Sequence, residues 1–462
     1  MSRTQRASWR TPSDVEQKPD PRHTAEPAPG GTGSPDQTDG TGSPDQTGNT
    51  DWSVSRRLLP SFFAAVAALL WAGPYLHLQP WIGFHLTDIP TYQRSADATA
   101  AGRLPYRDVD LEYPPGAAVI FWLARFLPGQ GYVEKFQWFM LLFWALATAG
   151  AVVAAGQLRL PVRRQVAVGT VMAITPLVLG TIVRTRYDGV VTAVVAWMIV
   201  AALAERWRWM WGLLAVAIAL KLMPALLAPA LVAWQAHRAG WASARRGAAG
   251  GIAATVALFA PAALLAPRGL WDMVMYHLQR PPQIESTASS YVLLWHATAG
   301  VPVTIESAFG SQGPTGQTAE VLATATTLLA FLAIVAVSVR YARHLGALVR
   351  GLDAAYLLAT LAATIVFLAV GSKVLSPQYL LWIVPASLLL PGRRGLTAFV
   401  MTPVLMLVTH LYFPFRYWNL VGLETLPIWI LFVRNLLLIA LACVCWSVSP
   451  AAPTPRAPAL AD

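Results

Sequence analysis

Several stretches of this sequence set ionisable side chains at or inside apolar runs, where a charge is costly and marks a site or a pathway. Asp88 stands in HLTDIPTYQRSADATAAGRLPYRDVDLEYPPGA, a few residues beyond the first apolar run. A carboxylate held there suits general-base activation of a hydroxyl. It equally suits a helix N-cap, because Ile89-Pro90 follows. Asp108, Asp110 and Glu112 alternate, so an extended segment points all three to one face, fit for a metal, a hydroxyl-rich acceptor or ion pairs with Arg103 and Arg107. In RTRYDG, Arg184 and Arg186 border an apolar run at the depth of a lipid phosphate, whose oxygens match guanidinium forks. Snorkelling of the same side chains to the interface is the competing account. Lys221 lies within LAVAIALKLMPALLAPAL and requires an anionic partner, either a protein carboxylate or a substrate phosphate. Lys373, in VGSKVLSPQYLLW, sits similarly at the mouth of a run, and Arg434 and Asn435 interrupt the last one. His277 and Arg280 fall three apart on an expected short helix and share a face, with Glu285 beyond the Pro281-Pro282 break. That set suits a phosphate or a sugar, or is simply exposed.

The elements that must position these groups are apolar helices. The chain has 462 residues, 55% hydrophobic and 12% charged, with 19 Trp and a mean hydropathy of +0.49. Soluble chains are about one quarter charged, whereas each bilayer crossing takes about 20 apolar residues and Trp gathers at both interfaces. Spans are expected near 58–78, 134–156, 165–183, 188–204, 249–267, 319–339, 352–370, 376–391, 395–411 and 426–447. The stretch 209–236 is expected to form two pieces meeting at Lys221, and 116–127 to be a half-helix or a tilted span, which the placement of the basic loops requires not to cross fully. A stretch at 91–101 is expected to lie flat on the membrane.

Net charge is +11, but residues 1–57 hold seven Lys/Arg against eight Asp/Glu, so the remainder carries +12. That excess sits in short loops around Arg159/Arg163/Arg164, Arg206/Arg208, Arg238/Arg245/Arg246, Arg340/Arg343/Arg350 and Arg393/Arg394. Short basic loops stay cytoplasmic and suit anionic lipid headgroups better than nucleic acid. This gives about 12 crossings with both termini inside. The loops 84–115, 184–188, 268–318 and 373–378, together with Lys221, then share the outer face. Residues 1–55 repeat GTGSPDQT and are too polar to offset their ordering entropy, so a disordered tail is expected there and a short one at 449–462. Residues 56–448 form the membrane domain. Cys443 and Cys445 match no metal spacing, and GxxxxGK[ST], HExxH, CxxC and GxSxG do not occur.

An Asp just after the first helix, PYRDVDLEYPPGA, an intramembrane KLMP, HLQRPPQIEST and SKVLSPQYLLW occur in that order over about residues 58–447. Together they resemble glycosyltransferase family 87, the actinobacterial polyprenol-phosphate-mannose-dependent mannosyltransferases. The resemblance implies an all-α, GT-C-like bundle of about 11–13 transmembrane helices with short amphipathic helices in the outer loops. It implies an inverting hexosyl transfer in the plasma membrane, its site facing outward. The donor would be a polyprenyl-phosphate sugar and the acceptor a glycolipid or glycan, with no metal or cofactor. Asp88 then takes the place of the catalytic base, while Lys221, Lys373, Arg184, Arg186, His277 and Arg280 hold the donor phosphate. Acceptor-side or structural roles fall to Asp108, Asp110, Glu112, Glu285 and Gln378. A lipid or solute transporter is the main rival, although such proteins tend to show repeated halves and none is found in the membrane region.

Overall fold

The structure, a computed structural model, describes residues 58–71, 86–344 and 352–448. The expected tails, Arg56, Arg57, Arg350 and the first span beyond residue 71 lie outside the described residues. Helix α1 (Leu58–Trp71) leads to α2 (Ile89–Ala100), α3 (Pro115–Leu123), α4 (Tyr132–Gln157), α5 (Val162–Val178), the short α6 (Thr181–Thr185), α7 (Asp188–Leu203) and α8 (Trp207–Leu220). A 3-10 segment, Met223–Leu227, joins α8 to α9 (Ala228–Ala239). Then come α10 (Trp241–Leu265), α11 (Pro267–Gln279), α12 (Thr287–Ala299), strands β1 (Ile305–Ala308) and β2 (Ser311–Pro314), α13 (Gln317–His344), α14 (Leu352–Gly371), α15 (Leu380–Leu388), α16 (Gly392–Tyr412), the short α17 (Tyr417–Val421) and α18 (Thr425–Ser447).

Six of these, α4, α10, α13, α14, α16 and α18, are long and apolar enough to cross a membrane. The described residues are thus overwhelmingly helical, with the lengths and composition of an all-α membrane protein. The apolar helices α1, α3, α7 and α8 are shorter. The helices begin and end where the sequence punctuates them. Pro90, Pro115 and Pro267 occupy first-turn positions, where a missing N–H costs nothing. The hydroxyl of Ser286 accepts from Ser289 N at 3.1 Å and opens α12. Lys221 is extended (φ −156°, ψ 134°) between α8 and the Pro224 segment, so the expected two pieces do meet at the lysine.

The core forms around α7, which packs on α4, α8 and α15, while α13, α14, α16 and α18 build the other side. Close approach rather than hydrophobic transfer holds such helices together, since lipid is as apolar as leucine. Gly116 of α3 illustrates it: a Cβ there would lie 2.7 Å from the Ala219 carbonyl of α8. That contact seats the N-terminus of α3 beside the break at Lys221. Indole N–H groups are satisfied across helices, with Trp144 donating to Met172 O (2.8 Å) and Trp234 to Ala202 O (2.9 Å).

The bundle is all-α apart from one short antiparallel hairpin among the described residues, after α12, pairing Ile305 with Pro314 and Ala308 with Ser311. Its two-residue turn, Phe309-Gly310, has φ of 51° and 69°, the mirror-image turn that suits strand twist. One expectation needs correction: the span at 165–183 is broken. Pro176 lies inside α5, and Gly180 at φ 56° turns the chain into α6.

The basic loops collect at one end of the bundle. Arg164, beginning α5, donates to Gly395 O at 3.0 Å and lies over the Phe399 ring. Arg238, ending α9, pairs with Glu205 between α7 and α8. Arg340, near the end of α13, donates to Trp446 O near the end of α18. Helices that leave this end, such as α8 and α14, arrive at the opposite end at Lys221 and Lys373.

Candidate active site

At that opposite end lies a cavity of about 1370 Å³. Its wall includes Asp88, Asp110, Glu112, Arg186, Lys221, His277, Arg280, Glu285, Lys373 and Gln378. Ten of the side chains expected from sequence are therefore brought together from loops and helix ends far apart in the chain.

Asp88 precedes α2 without capping it, since its side chain makes no cap bond. Its carboxylate instead forms an ion pair with Arg186 and accepts from Tyr92 OH at 3.3 Å. Arg186 also donates to Leu86 O at 2.9 Å, so the guanidinium ties Asp88 and the residues just before it to the start of α7. Tyr92 is fully buried, stacked on Phe121 (4.3 Å between centroids) and edge-on to Tyr113 and Tyr187. Burial pushes its phenol well above the ordinary range, which keeps it a proton donor toward the carboxylate.

Lys221 finds its counter-ion in Asp188, the first residue of α7, at 2.7 Å. Asp188 is 1% exposed. The ammonium is also surrounded by the rings of Trp382, Tyr187 and Tyr379, at 4.8, 5.1 and 5.4 Å. Lys373 donates to Leu278 O at 2.7 Å, and its own carbonyl accepts from Gln283 N at 2.8 Å. Partial burial lowers its ammonium pKa. His277 Nε2 donates to Glu112 O at 2.9 Å, and burial pulls the imidazole below its ordinary value. The Arg280 backbone N–H donates to Tyr276 O at 3.1 Å, but its guanidinium makes no hydrogen bond among the described residues and lies 5.9 Å from the Tyr276 ring. Its positive charge acts on Arg186, Lys221, His277 and Lys373 alike. A cluster of like charges around one unbonded guanidinium is a site that an anion relieves.

Glu285 is buried in the wall with Gln283 donating to it, and burial pushes its carboxyl up to about 7. Ser376 donates to Gln283 Oε1 at 2.9 Å, joining this layer to the loop before α15. On another side the lining turns apolar: Leu222, Met223, Leu226, Ala330, Phe331, Ile334 and Leu368. Phe331 is 56% and Leu222 39% exposed, so this limb opens on the outer faces of the helices.

Two expected site residues are elsewhere. Arg184 is fully buried on α6 and does not line the cavity. Residues two apart around a helical turn face different ways, and the chain becomes extended at Arg186. Asp108 is also outside, because 104–109 is a tight turn rather than an extended strand. Tyr106, at φ 70°, donates its N–H to Val109 O at 2.9 Å. Asp108 accepts from Leu104 N (2.8 Å) and pairs with Arg107 (2.9 Å), whose guanidinium holds its carboxyl below the usual range. Among the described residues no three His, Cys, Asp or Glu side chains are grouped to hold a metal.

Asp188 was not foreseen as a site residue, although Lys221 demands a counter-ion and RTRYDG offers one at the same level. The chain matches no protein-family model and no curated protein sequence.

Proposed function

We propose that this protein is a membrane hexosyltransferase of GT-C type, similar to glycosyltransferase family 87. It moves a hexose, mannose by resemblance, from a polyprenyl-phosphate donor to an acceptor hydroxyl with inversion. The observation that carries this reading is a single cavity holding Asp88, a cluster of five cationic or proton-donating side chains and an apolar limb open to lipid.

In this reading the polyprenyl chain lies along Phe331, Ile334 and Leu368, and its phosphate meets Arg280 and Lys373. Lys221 and Arg186 already have Asp188 and Asp88 as counter-ions, so they supply field rather than the first contact. The acceptor hydroxyl approaches Asp88, which takes its proton as the oxygen attacks the anomeric carbon. The bond from that carbon to the phosphate oxygen breaks, and the negative charge on the leaving phosphate is stabilised by fixed cations in a site of low dielectric. Phosphate leaves readily without a dedicated acid. Asp110, Glu112 and Gln378 face the acceptor side.

Sidedness follows from charge. The arginine-rich loops gather at the end away from the cavity, and such loops remain cytoplasmic. The cavity then faces the extracytoplasmic side of the plasma membrane. Counting α1, α7 and α8 and the broken or short helices α5, α9 and α15 with the six long ones, and leaving out α3, brings the bundle to about 12 crossings, within the range of 11–13.

The test is incubation of purified protein with labelled polyprenyl-phosphate mannose and a membrane lipid extract. The expected result is label in a new glycolipid or glycan, lost in Asp88→Asn at unchanged protein yield. Label carried across vesicles without transfer would favour a transporter. Full transfer by Asp88→Asn would remove the carboxylate from its role.

A further inference from the structure

Glu285 has no task in the transfer step described above, yet its carboxyl is 1% exposed in the cavity wall. Gln283 donates to Oε2, and Oε1 has no hydrogen-bond partner among the described residues. The charged groups facing it come from separate elements: Arg434 on α18, Arg186 before α7 and Arg280 after α11. Tyr412 from α16, Tyr417 from α17 and Tyr379 before α15 complete the surroundings. Arg434 donates to Asn435 Oδ1 at 2.8 Å, and Asn435 reaches the Glu285 and Ser286 carbonyls at 3.3 Å. The polar pair interrupting the last span therefore fixes the loop that carries the carboxyl. Arg280 and Arg186 thus act on Glu285 and line the same cavity with it.

We infer that Glu285 is a proton-binding positioning residue, taking up a proton from solvent when a phosphate anion binds at Arg280 and releasing it when the site empties. The inference rests on the donor reading above. Two anions cannot both draw fully on the same guanidinium groups in a buried wall, and the carboxyl yields by accepting a proton. No covalent bond to carbon or phosphorus changes in this step. Burial already sets the carboxyl at about 7, so the exchange falls near neutral pH. A nearby phosphate raises the value further. By linkage the phosphate then binds more tightly below that range than above it.

The experiment is calorimetric titration of the full-length protein in detergent with a short-chain dialkyl phosphate, a monoanion at every pH used. Each pH is run in two buffers of different ionisation enthalpy. Near pH 7 binding takes up a fraction of a proton, and Kd rises about tenfold between roughly pH 6.5 and 8.5, equivalent to a displacement of about one pKa unit. Glu285→Gln binds without that uptake, its Kd level within about twofold over the same range. His277→Gln separates the imidazole from the carboxyl: a slope kept there and lost in Glu285→Gln assigns the proton to Glu285, and a slope lost with the imidazole overturns the inference. Binding by the unaltered protein with no proton uptake, or a slope preserved in Glu285→Gln, overturns the inference and leaves the donor reading standing. Failure of the unaltered protein to bind the phosphate overturns both. If Glu285→Gln does not fold, absence of uptake in the unaltered protein, or loss of uptake in His277→Gln, still overturns the inference.

Discussion

The two ends of the helical bundle both carry many charges and use them differently. At the basic end, arginines close helix termini: Arg164 on Gly395 O, Arg340 on Trp446 O, and Arg238 with Glu205. At the cavity end, charges are buried or half-buried and bound across elements: Asp88 with Arg186, Asp188 with Lys221, and Glu285 among three guanidinium groups. A charge at a membrane surface costs little and directs topology. A charge taken below that surface is expensive unless compensated, and a structure that keeps several of them together has a use for them. The comparison separates topology from chemistry more cleanly than charge counts do.

Substitutions can break or sharpen that contrast. Asp88→Asn, the most severe, is expected to lower transfer by about 10²–10⁴-fold, the usual worth of a general base, measured as label transfer at equal protein yield. Lys221→Ala leaves Asp188 buried and unpaired, and is expected to cost roughly 3–5 kcal/mol of stability. Thermal unfolding in detergent reads this loss, and adding Asp188→Asn to the same chain restores much of it. Arg280→Gln keeps the fold and lowers donor kcat/KM by roughly 10²-fold, as for loss of one fixed donor to a developing anion.

Glu285→Gln gives a smaller effect whose sign depends on pH. The folded carboxyl is at about 7 against an ordinary 4.5, so the folded state retains a proton that the unfolded chain has released. Stability from this group is complete below 4.5 and is lost as pH rises through about 7. The variant should therefore unfold at a higher temperature than the parent at pH 8.5 and at the same temperature at pH 4.5. At the basic end, the double change Arg393→Gln and Arg394→Gln should leave turnover within about twofold, since exposed charges contribute little. A large loss of turnover there would erase the distinction between the two ends.

Much of this site was legible in the sequence because charge inside an apolar run is conspicuous. Lys221 and Lys373 were visible for that reason, Asp88 from its place just beyond the first run and Arg280 from its spacing to His277, and the break at Lys221 fits the prolines that follow it. What escaped depends on distance in three dimensions. The partner of Lys221 lies 33 residues away in Asp188, and only the packing of α7 on α8 joins them. Arg184 and Arg186 looked equivalent in RTRYDG until a helical turn sent them apart. Asp108 looked like Asp110 and Glu112 until Tyr106 adopted φ 70° and closed a turn. The hairpin at Ile305–Ala308 and Ser311–Pro314 carried little signal, because Phe309 stands where Asn or Gly is usual. The aromatic packing that seats Tyr92 beside Asp88 joins four elements and has no local pattern.

The most direct measurement is an experimental structure of the protein with a non-transferable polyprenyl-phosphate hexose analogue. The phosphate should lie within hydrogen-bond distance of Arg280 and Lys373, with the anomeric carbon turned toward Asp88 and the lipid along Phe331 and Leu368. An analogue bound elsewhere, or a phosphate seated among the arginines of the basic end, would contradict the account.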